Sequence, residues 1–311
     1  MNHKSAVDLR VAIGSLRLAN PIIAASGTFG YGVEFSSVTN LEALGAIVVK
    51  GLSLEPMAGA PPPRMCEVSS GMINAIGLQN IGVSAFVREK LPALQKLKTP
   101  VITNVFGHTQ SEYLGVLRIL EEAEGIAAYE LNVSCPNVEH GGMEFGSEEG
   151  PLAELVGAAR KIAKRPLWVK LSPLVTDIGR LAKAAEDSGA DALTVANTYP
   201  AMALDFATRR SRIGRISGGL SGPAIMPITL RLVYLVAQAV KTPVVGTGGI
   251  QSPADVLEYM VAGASAVEVG TASFADPRAC ERLVRGVERA CRDNKVLQIS
   301  RISGTLGKDL P

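Results

Sequence analysis

Residues 243–272 read PVVGTGGIQSPADVLEYMVAGASAVEVGTA. Two short, valine-rich runs at the ends of this stretch enclose a segment with signals for the start and the end of a helix. Ser252 can cap the helix, Pro253 suits its first turn and Gly263 can end it. The two runs are too continuously apolar to have one face in water. The stretch therefore predicts a strand–helix–strand unit of a parallel sheet that is buried on both faces.

Similar apolar runs recur along the whole chain, and most gaps between them have helical patterns. The eight runs are 21–27, 46–51, 100–107, 128–135, 167–173, 192–198, 243–249 and 266–272. Eight strand–helix repeats with no linker between them predict one domain over residues 1–311, an α/β protein with the (β/α)8 TIM-barrel fold. An open, doubly wound sheet is the alternative, but units of such similar length fit a closed barrel better.

Short additions accompany the predicted barrel. An N-terminal hairpin, VDLRVAIGSLRL, is predicted to turn at Gly14–Ser15, and inserts follow the second strand (52–80) and the sixth (199–224). Both inserts leave the carboxyl ends of strands, which is the face on which barrel active sites form. The last helical pattern, DPRACERLVRGVERAC, is predicted to start at Asp276–Pro277.

The composition excludes several classes of protein. The chain has 31 basic and 29 acidic residues, a net charge of +2, and no basic run interleaved with aromatic residues that would indicate nucleic acid. It shows no signal-peptide pattern and no apolar run that approaches bilayer-spanning length, so we expect a cytoplasmic protein without a membrane anchor. The four cysteines form no CxxC pair, so we expect neither a metal site nor an iron–sulfur cluster held by this chain alone.

Polar residues gather where the predicted strands end. They are Ser26, Lys50, Asn104, Asn132, Lys170, Asn197 and Thr198. Lysines and asparagines at such positions are costly unless a polar partner lies there. A hydrated barrel mouth could explain any one of them but explains the full set poorly, so the set predicts a functional site on this face.

The ends of the last two predicted strands are rich in glycine. Gly248, Gly249, Gly270 and Thr271 expose backbone N–H groups there, and the helix that starts at Ser252 can add its dipole. Ordinary tight turns are the alternative. Two such turns on the final strands of a barrel favour a ligand that carries a phosphate group.

The remaining candidates suggest redox chemistry. Lys170 can act as a fixed cation for the electron-rich end of a reduced flavin, and several asparagines suit a flat ring with alternating carbonyl and N–H groups, such as a pyrimidine. Cys135, in YELNVSCPNVEHGG, follows the fourth strand, where a thiol can be a nucleophile or a general base. No histidine is obviously paired with it, which favours proton abstraction beside a flavin over hydrolysis. We interpret Cys66, Cys280 and Cys291 as small apolar fillers.

Several motifs together resemble one enzyme family over nearly the whole chain. They are NPIIAASGTFGYG (20–32), SSGMINAIGLQN (69–80), LNVSCPNVEHGG (131–142), VKLSP (169–173), ANT (196–198), GGLSGPAI (218–225), GTGGI (246–250) and AGASAVEVGTASFADP (262–277). The chain resembles the class 1 dihydroorotate dehydrogenases, and most closely the NAD-linked class 1B catalytic subunit. INAIGLQN and GGLSGPAI are the motifs most similar to class 1B.

The resemblance implies one FMN per chain at the top of the barrel. The residues it implies for FMN are Ser26, Lys50, Gly51, Asn104, Asn132, Lys170, Ala196, Gly222, Gly248, Gly249, Gly270 and Thr271. Those it implies for the substrate are Lys50, Asn74, Ala75, Ile76, Gly77, Leu78, Asn132, Asn197 and Thr198. Cys135 would be the catalytic base. The segment 74–78 enters on the resemblance alone, because it has no chemical signature of its own.

The reaction implied is oxidation of (S)-dihydroorotate to orotate in pyrimidine (UMP) biosynthesis. Cys135 would take a proton from C5 while a hydride leaves C6 for the flavin. A partner subunit with FAD and a 2Fe–2S cluster would pass the electrons to NAD, in a heterotetramer of two catalytic and two electron-transfer subunits. Four arginines of the second insert, Arg209, Arg210, Arg212 and Arg215, could contact that partner or cover the substrate. A solvated charged loop is at least as good an interpretation.

Other functions stay open at this level. A class 1A enzyme that uses fumarate, or a barrel like dihydropyrimidine dehydrogenase that acts on uracil or thymine, would share much of this site. A tRNA dihydrouridine synthase is disfavoured because the charge balance lacks a nucleic-acid footprint. A non-enzymic barrel that binds a phosphate ligand is disfavoured by the presence of Cys135, Lys50 and Lys170 together.

Overall fold

A computed structural model describes residues 7–134 and 145–308. Its strands are β1 (Val11–Ile13), β2 (Leu16–Leu18), β3 (Ile22–Ala24), β4 (Ala46–Val48), β5 (Met65–Val68), β6 (Gly71–Asn74), β7 (Val101–Val105), β8 (Ala128–Asn132), β9 (Leu167–Lys170), β10 (Ala192–Val195), β11 (Tyr199–Ala201), β12 (Leu204–Asp205), β13 (Arg210–Ser211), β14 (Gly218–Ser221), β15 (Val244–Thr247) and β16 (Ala264–Val269). Its α-helices are α1 (Val83–Glu89), α2 (Leu91–Leu94), α3 (Gln110–Glu121), α4 (Glu149–Ile162), α5 (Ile178–Asp187), α6 (Met226–Ala239), α7 (Pro253–Ala262), α8 (Ala272–Ala275) and α9 (Ala279–Asp293). Short 3-10 turns lie at Val33–Phe35, Leu41–Ala43, Pro223–Ile225 and Ile299–Ile302.

Eight parallel strands close into a barrel in the order β3, β4, β7, β8, β9, β10, β15, β16 and back to β3. Seven of the eight predicted apolar runs contain a barrel strand, and the eighth (266–272) overlaps β16, which begins two residues earlier at Ala264, so the predicted (β/α)8 fold is confirmed. Almost every residue of these eight strands is buried, because one face of the sheet fills the barrel interior and the other face lies under helices. The N-terminal hairpin is confirmed as well: β1 and β2 pair antiparallel across Gly14, whose φ of +59° suits glycine.

The outer helices pack against one another in chain order from α3 to α7, and α9 completes the layer against α7. The predicted start of α7 is confirmed, because the Ser252 hydroxyl accepts from Asp255 N–H and the Asp255 carboxylate accepts from Ser252 N–H. The predicted start of α9 is wrong by a few residues. The Asp276 carboxylate caps a turn by accepting from Arg278 N–H, and the helix begins only at Ala279.

The two inserts combine into one antiparallel sheet, which the sequence patterns did not predict. Its strand order is β11, β14, β6, β5, so strands from residues 65–74 and 199–221 lie side by side. Close backbone approach requires glycine here, since a Cβ on Gly218 would lie 2.4 Å from the Asn74 carbonyl oxygen. A small apolar cluster centred on Ile73, Ala203 and Ile213 supports the sheet. Because both inserts leave carboxyl ends of barrel strands, this sheet stands at the predicted active face.

In the part of the chain that the structure describes, no helix has the length and apolar character needed to cross a membrane.

Candidate active site

Lys170 lies at the end of β9 in a buried polar cluster inside the barrel. Its Nζ is 2.7 Å from Glu268 Oε2 and 3.9 Å from Glu130 Oε1, and only 7% of the residue is exposed. Glu130 accepts hydrogen bonds from Asn104 Nδ2 and from Thr194 Oγ1, both at 2.7 Å. These residues come from strands β7 to β10 and from β16, so only the closed barrel brings them together.

The buried carboxylates and the ammonium control one another's charge. Burial opposes ionisation of Glu130, but the Lys170 ammonium and the donors on its oxygens hold the pKa of Glu130 below its usual value. Burial and the nearby Glu130 charge raise the pKa of Glu268 well above its usual value. Burial alone would lower the pKa of Lys170, but the two carboxylates raise it, so Lys170 stays a cation at neutral pH.

Three predicted polar residues form a hydrogen-bonded row at the strand ends. Asn197 Nδ2 donates to Asn132 Oδ1 at 3.1 Å, and Asn197 Oδ1 accepts from Thr198 N–H at 2.8 Å. The backbone of Asn132 is held from outside, because Tyr113 OH donates to its carbonyl oxygen at 2.7 Å. The row is partly exposed, so amide groups remain available for a ligand.

Lys50 is a half-buried cation two residues after β4. Burial and the positive charge of Arg64 lower the pKa of Lys50 below that of an ordinary lysine. Within residues 7–134 and 145–308, no carboxylate forms an ion pair with Lys50. A cation without a carboxylate partner, held beside a second cation, favours binding of an anionic ligand.

The glycine turn after β15 forms a close-fitting cradle with Gly222. A Cβ on Gly249, where φ is +73°, would lie 2.7 Å from Met226 Cβ and 2.8 Å from the Gly222 carbonyl oxygen. Gly248, with φ at +143°, is held by Tyr259, whose hydroxyl donates to its carbonyl oxygen at 2.7 Å. Gly222 therefore packs against Gly249 next to the start of α6. The sequence patterns did not predict that this helix lies beside the turn.

The expectation that α7 adds its dipole to this cradle needs correction. The capping box already uses the N–H groups of Ser252 and Asp255, and Asp255 also accepts from Gln251 N–H at 2.8 Å. The Asp255 carboxylate thus occupies the N-terminal end of α7. A phosphate group there would meet a negative charge, so α7 is a poor donor for it.

We expect Gly249→Ala to reduce flavin binding and to lower stability. The new methyl group would require a disfavoured positive φ and would press on Met226 and Gly222, and such strain costs on the order of 1–3 kcal/mol. The measurement is the flavin-to-protein ratio after purification, together with urea unfolding. Gly157→Ala is the matched control, because a Cβ there meets nothing within 4 Å on α4, and it should keep full flavin content. Equal flavin content in the two variants would contradict the cradle.

The other predicted residues lie on the same face of the barrel. Gly51 is in close contact with Asn104, since a Cβ on Gly51 would lie 2.7 Å from Asn104 Oδ1. Ser26, Ala196, Gly270 and Thr271 directly follow β3, β10 and β16 or lie within two residues of these strand ends. Their roles as flavin contacts stay predictions, and Cys135 lies outside the described residues.

The segment 74–78 is placed by the insert sheet. Asn74 ends β6, and its Nδ2 donates to the Gly219 carbonyl oxygen at 3.3 Å. Gly219 in turn leaves room for Thr198, because a Cβ on Gly219 would lie 2.2 Å from Thr198 Oγ1. The segment thus begins close to Thr198 of the hydrogen-bonded row, and its role in substrate binding stays a prediction.

Sequence reasoning missed Glu130 and Glu268. Both stand in the middle of otherwise apolar strands, in AYELN and ASAVEV, and both are almost completely buried. That position is itself a signal, because an acidic residue inside a buried strand is costly unless it is paired. A search for charged residues within the predicted strands would have found them.

The fold and these groups indicate a class: a TIM barrel with glycine turns after its last strands and a buried lysine at a strand end has the groups that a phosphate-bearing redox cofactor needs, as in flavin-dependent oxidoreductases. The family model for dihydroorotate dehydrogenase matches residues 8–290. The chain belongs to the dihydroorotate dehydrogenase family, a family of flavin-dependent enzymes. The resemblance found in the motifs is therefore confirmed.

Relatives of two kinds are similar over almost the full length. A protein of Solibacter usitatus named putative dihydroorotate dehydrogenase A (fumarate) is 54% identical, over 96% of this chain and 98% of the relative. Proteins named dihydroorotate dehydrogenase B (NAD(+)), catalytic subunit, are 50% identical in Citrifermentans bemidjiense and 51% identical in Geobacter sulfurreducens, with the same shares covered. The similarity to NAD-linked catalytic subunits confirms the resemblance to class 1B catalytic subunits that the motifs indicated.

Proposed function

We propose that this protein oxidises (S)-dihydroorotate to orotate in pyrimidine biosynthesis, with FMN as its cofactor. The observation that carries the proposal is the position of Lys50, a cation without a carboxylate partner among the described residues, at the mouth of a barrel of this family. Dihydroorotate supplies the missing carboxylate. The amide row of Asn132, Asn197 and Thr198 suits the N–H and carbonyl groups of its ring.

Two observations support a fit between these residues and FMN. The Lys170 ammonium has three N–H donors and one carboxyl oxygen, Glu268 Oε2, within hydrogen-bond distance, so donors remain for the ring system. The turn at Gly222, Gly248 and Gly249 leaves no room for side chains, as expected where a phosphate group approaches the backbone. FMN, when bound there, supplies the acceptor for the hydride that leaves C6 of the substrate.

The chain itself handles the proton and the position of the substrate. The Cys135 thiolate accepts the proton from C5, and the electron pair of that bond forms the C5–C6 double bond of orotate. Lys50 holds the carboxylate, and the amide row fixes the plane of the ring. Such positioning accounts for a large part of the barrier reduction in enzymes that bring two reactants together.

We expect Lys50→Met to weaken orotate binding by about 10- to 100-fold, since hydrogen bonds to charged groups contribute roughly 1.5–3 kcal/mol. Because the pKa of Lys50 is lowered, wild-type affinity should also fall with rising pH earlier than an ordinary lysine would allow. Titration of orotate against flavin absorption measures both effects. Lys161→Met, on the exposed side of α4, is the control and should bind as wild type does. Unchanged affinity in Lys50→Met would remove Lys50 from the substrate site.

For the electron acceptor we propose NAD, reached through a partner subunit that carries FAD and a 2Fe–2S cluster. The proposed assembly is a heterotetramer of two catalytic and two electron-transfer subunits. The support is the name of relatives about 50% identical, NAD-linked catalytic subunits. Direct use of fumarate is the second candidate, because the Solibacter usitatus relative carries that name at 54% identity.

Anaerobic flavin reduction tests the proposal. The purified chain is mixed with dihydroorotate, and bleaching of the visible flavin absorption is the expected result. NAD and fumarate are then added separately. Recovery of colour with fumarate would favour the second candidate, whereas recovery with NAD only after addition of an electron-transfer subunit would favour the first. A flavin-loaded protein that bleaches with uracil and not with dihydroorotate would refute the proposed substrate.

A further inference from the structure

The charges inside the barrel do not balance if every group is ionised. Lys170 contributes one positive charge, and Glu130 and Glu268 would contribute two negative charges. All three are buried, and the carboxylates are at most 1% exposed. A net charge at such a depth is costly, so the cluster needs one more proton or one more cation.

We propose that Glu130 and Glu268 hold one proton between them, carried by Glu268, and that this proton keeps the Lys170 cluster electrically neutral. Glu130 and Glu268 are then positioning residues, which act on the flavin site through Lys170. The consequence for the flavin rests on the proposed function. The protonation state itself does not, because it is a property of the chain.

The hydrogen bonds determine which carboxyl group carries the proton. Both oxygens of Glu130 already accept, from Asn104 Nδ2 and from Thr194 Oγ1, so its ionised form is well satisfied. Glu268 Oε2 accepts from Lys170, but Glu268 Oε1 has no hydrogen-bond partner among the described residues. An unpaired anionic oxygen in the barrel interior is unfavourable. A protonated Glu268 is the better state, because its carboxyl group lies within hydrogen-bond reach of Glu130 and can donate to it.

The two strands that flank β16 carry no positive charge that could balance an ionised Glu268. The neighbouring strands β3 and β15 carry only apolar residues, glycine and Thr247. The charged groups that act on Glu268 in the described structure are Glu130 and Lys170. The repulsion by Glu130 and the burial both favour the protonated acid over the ionised form.

A neutral cluster allows the Lys170 ammonium to stabilise negative charge on a reduced flavin. Reduction of a flavin adds negative charge to the end of the ring that a cation stabilises. If Glu268 were ionised, the cluster would carry net negative charge and would oppose that reduction. With Glu268 protonated, the ammonium of Lys170 meets the added charge without an excess of carboxylate behind it.

Carbon-13 NMR on protein labelled at the glutamate side-chain carboxyl carbon tests the protonation state directly. The holoprotein is used, and the flavin gives no signal because it is unlabelled. At neutral pH we expect one resonance with the chemical shift of a carboxylic acid, and we expect Glu268→Gln to remove it. In Glu130→Gln, the Glu268 resonance should move to the ionised position, because the repelling charge is gone.

Glu281→Gln is the matched control. Glu281 is also a buried glutamate, but Asn40 N–H, the Thr39 hydroxyl and Arg285 stabilise its ionised form and lower its pKa. This variant should lose an ionised resonance and keep the acid resonance. A wild-type spectrum in which both Glu130 and Glu268 titrate as ionised groups at neutral pH would overturn the inference.

The flavin potential gives a second readout that a merely structural role would not produce. The midpoint potential of Glu268→Gln should equal that of wild type at neutral pH, and wild type should fall below the variant only at alkaline pH, where Glu268 ionises. A difference already present at neutral pH would contradict the inference. If dihydroorotate fails to reduce the flavin while the acid resonance is present, the proposed function fails and the protonation state stands.

Discussion

Lys170→Met is expected to lower the free energy of unfolding by about 3–5 kcal/mol at neutral pH, the cost of leaving a buried ion pair without one partner. Methionine has a similar length but removes the only cation beside Glu130 and Glu268 in the described structure. Urea unfolding followed by circular dichroism measures the change. Lys183→Met is the control, since Lys183 pairs with Glu186 and Asp187 on the solvent side of α5 and its loss should change little.

The cost of Lys170→Met should depend on pH. In the wild type, Lys170 and the donors on Glu130 hold the pKa of Glu130 below its unfolded value. The stability that this provides is present above the unfolded pKa and is lost as the pH falls through the folded one. In the variant, Glu130 gains a proton more easily, so the gap between the two proteins should narrow as the solution becomes acidic. A cost no larger than that of the control, or one that grows in acid, would contradict the buried cluster.

Cys135→Ala should slow flavin reduction by dihydroorotate by about 100- to 10,000-fold, the usual contribution of a general base. Orotate should still bind, because Lys50 and the amide row are unchanged. Anaerobic stopped-flow measurement of flavin bleaching gives the rate, and an orotate titration gives the affinity. This separates loss of the base from loss of the site.

Cys66→Ala provides the control for a thiol without a chemical role. Cys66 lies on β5, where it packs against the apolar cluster of Ile73, Ala203 and Ile213. Its substitution should leave the rate of flavin reduction unchanged. A wild-type rate in Cys135→Ala would show that another group takes the proton.

The barrel itself could be read from local patterns. Seven of the eight barrel strands lie within a predicted apolar run and β16 overlaps one, and runs of this kind specify the residues that must be buried whatever their partners are. Strand-end residues such as Lys50 and Asn132 were also predictable, because in a parallel barrel every carboxyl end points to the same face. The start of α9 was not, because a turn capped by Asp276 and the first turn of a helix share their sequence signals.

The sequence alone thus specified eight buried strands, the face on which their polar ends meet and the glycine turns that follow the last two strands. Only closure of the barrel decided that Glu130, Lys170 and Glu268 share one buried cluster, and only the joint insert sheet placed Asn74 beside Gly219 and Thr198. The physical reason is distance along the chain. Local patterns indicate which residues must be buried or paired, but pairings between residues 98 and 145 positions apart form only once the whole chain has packed.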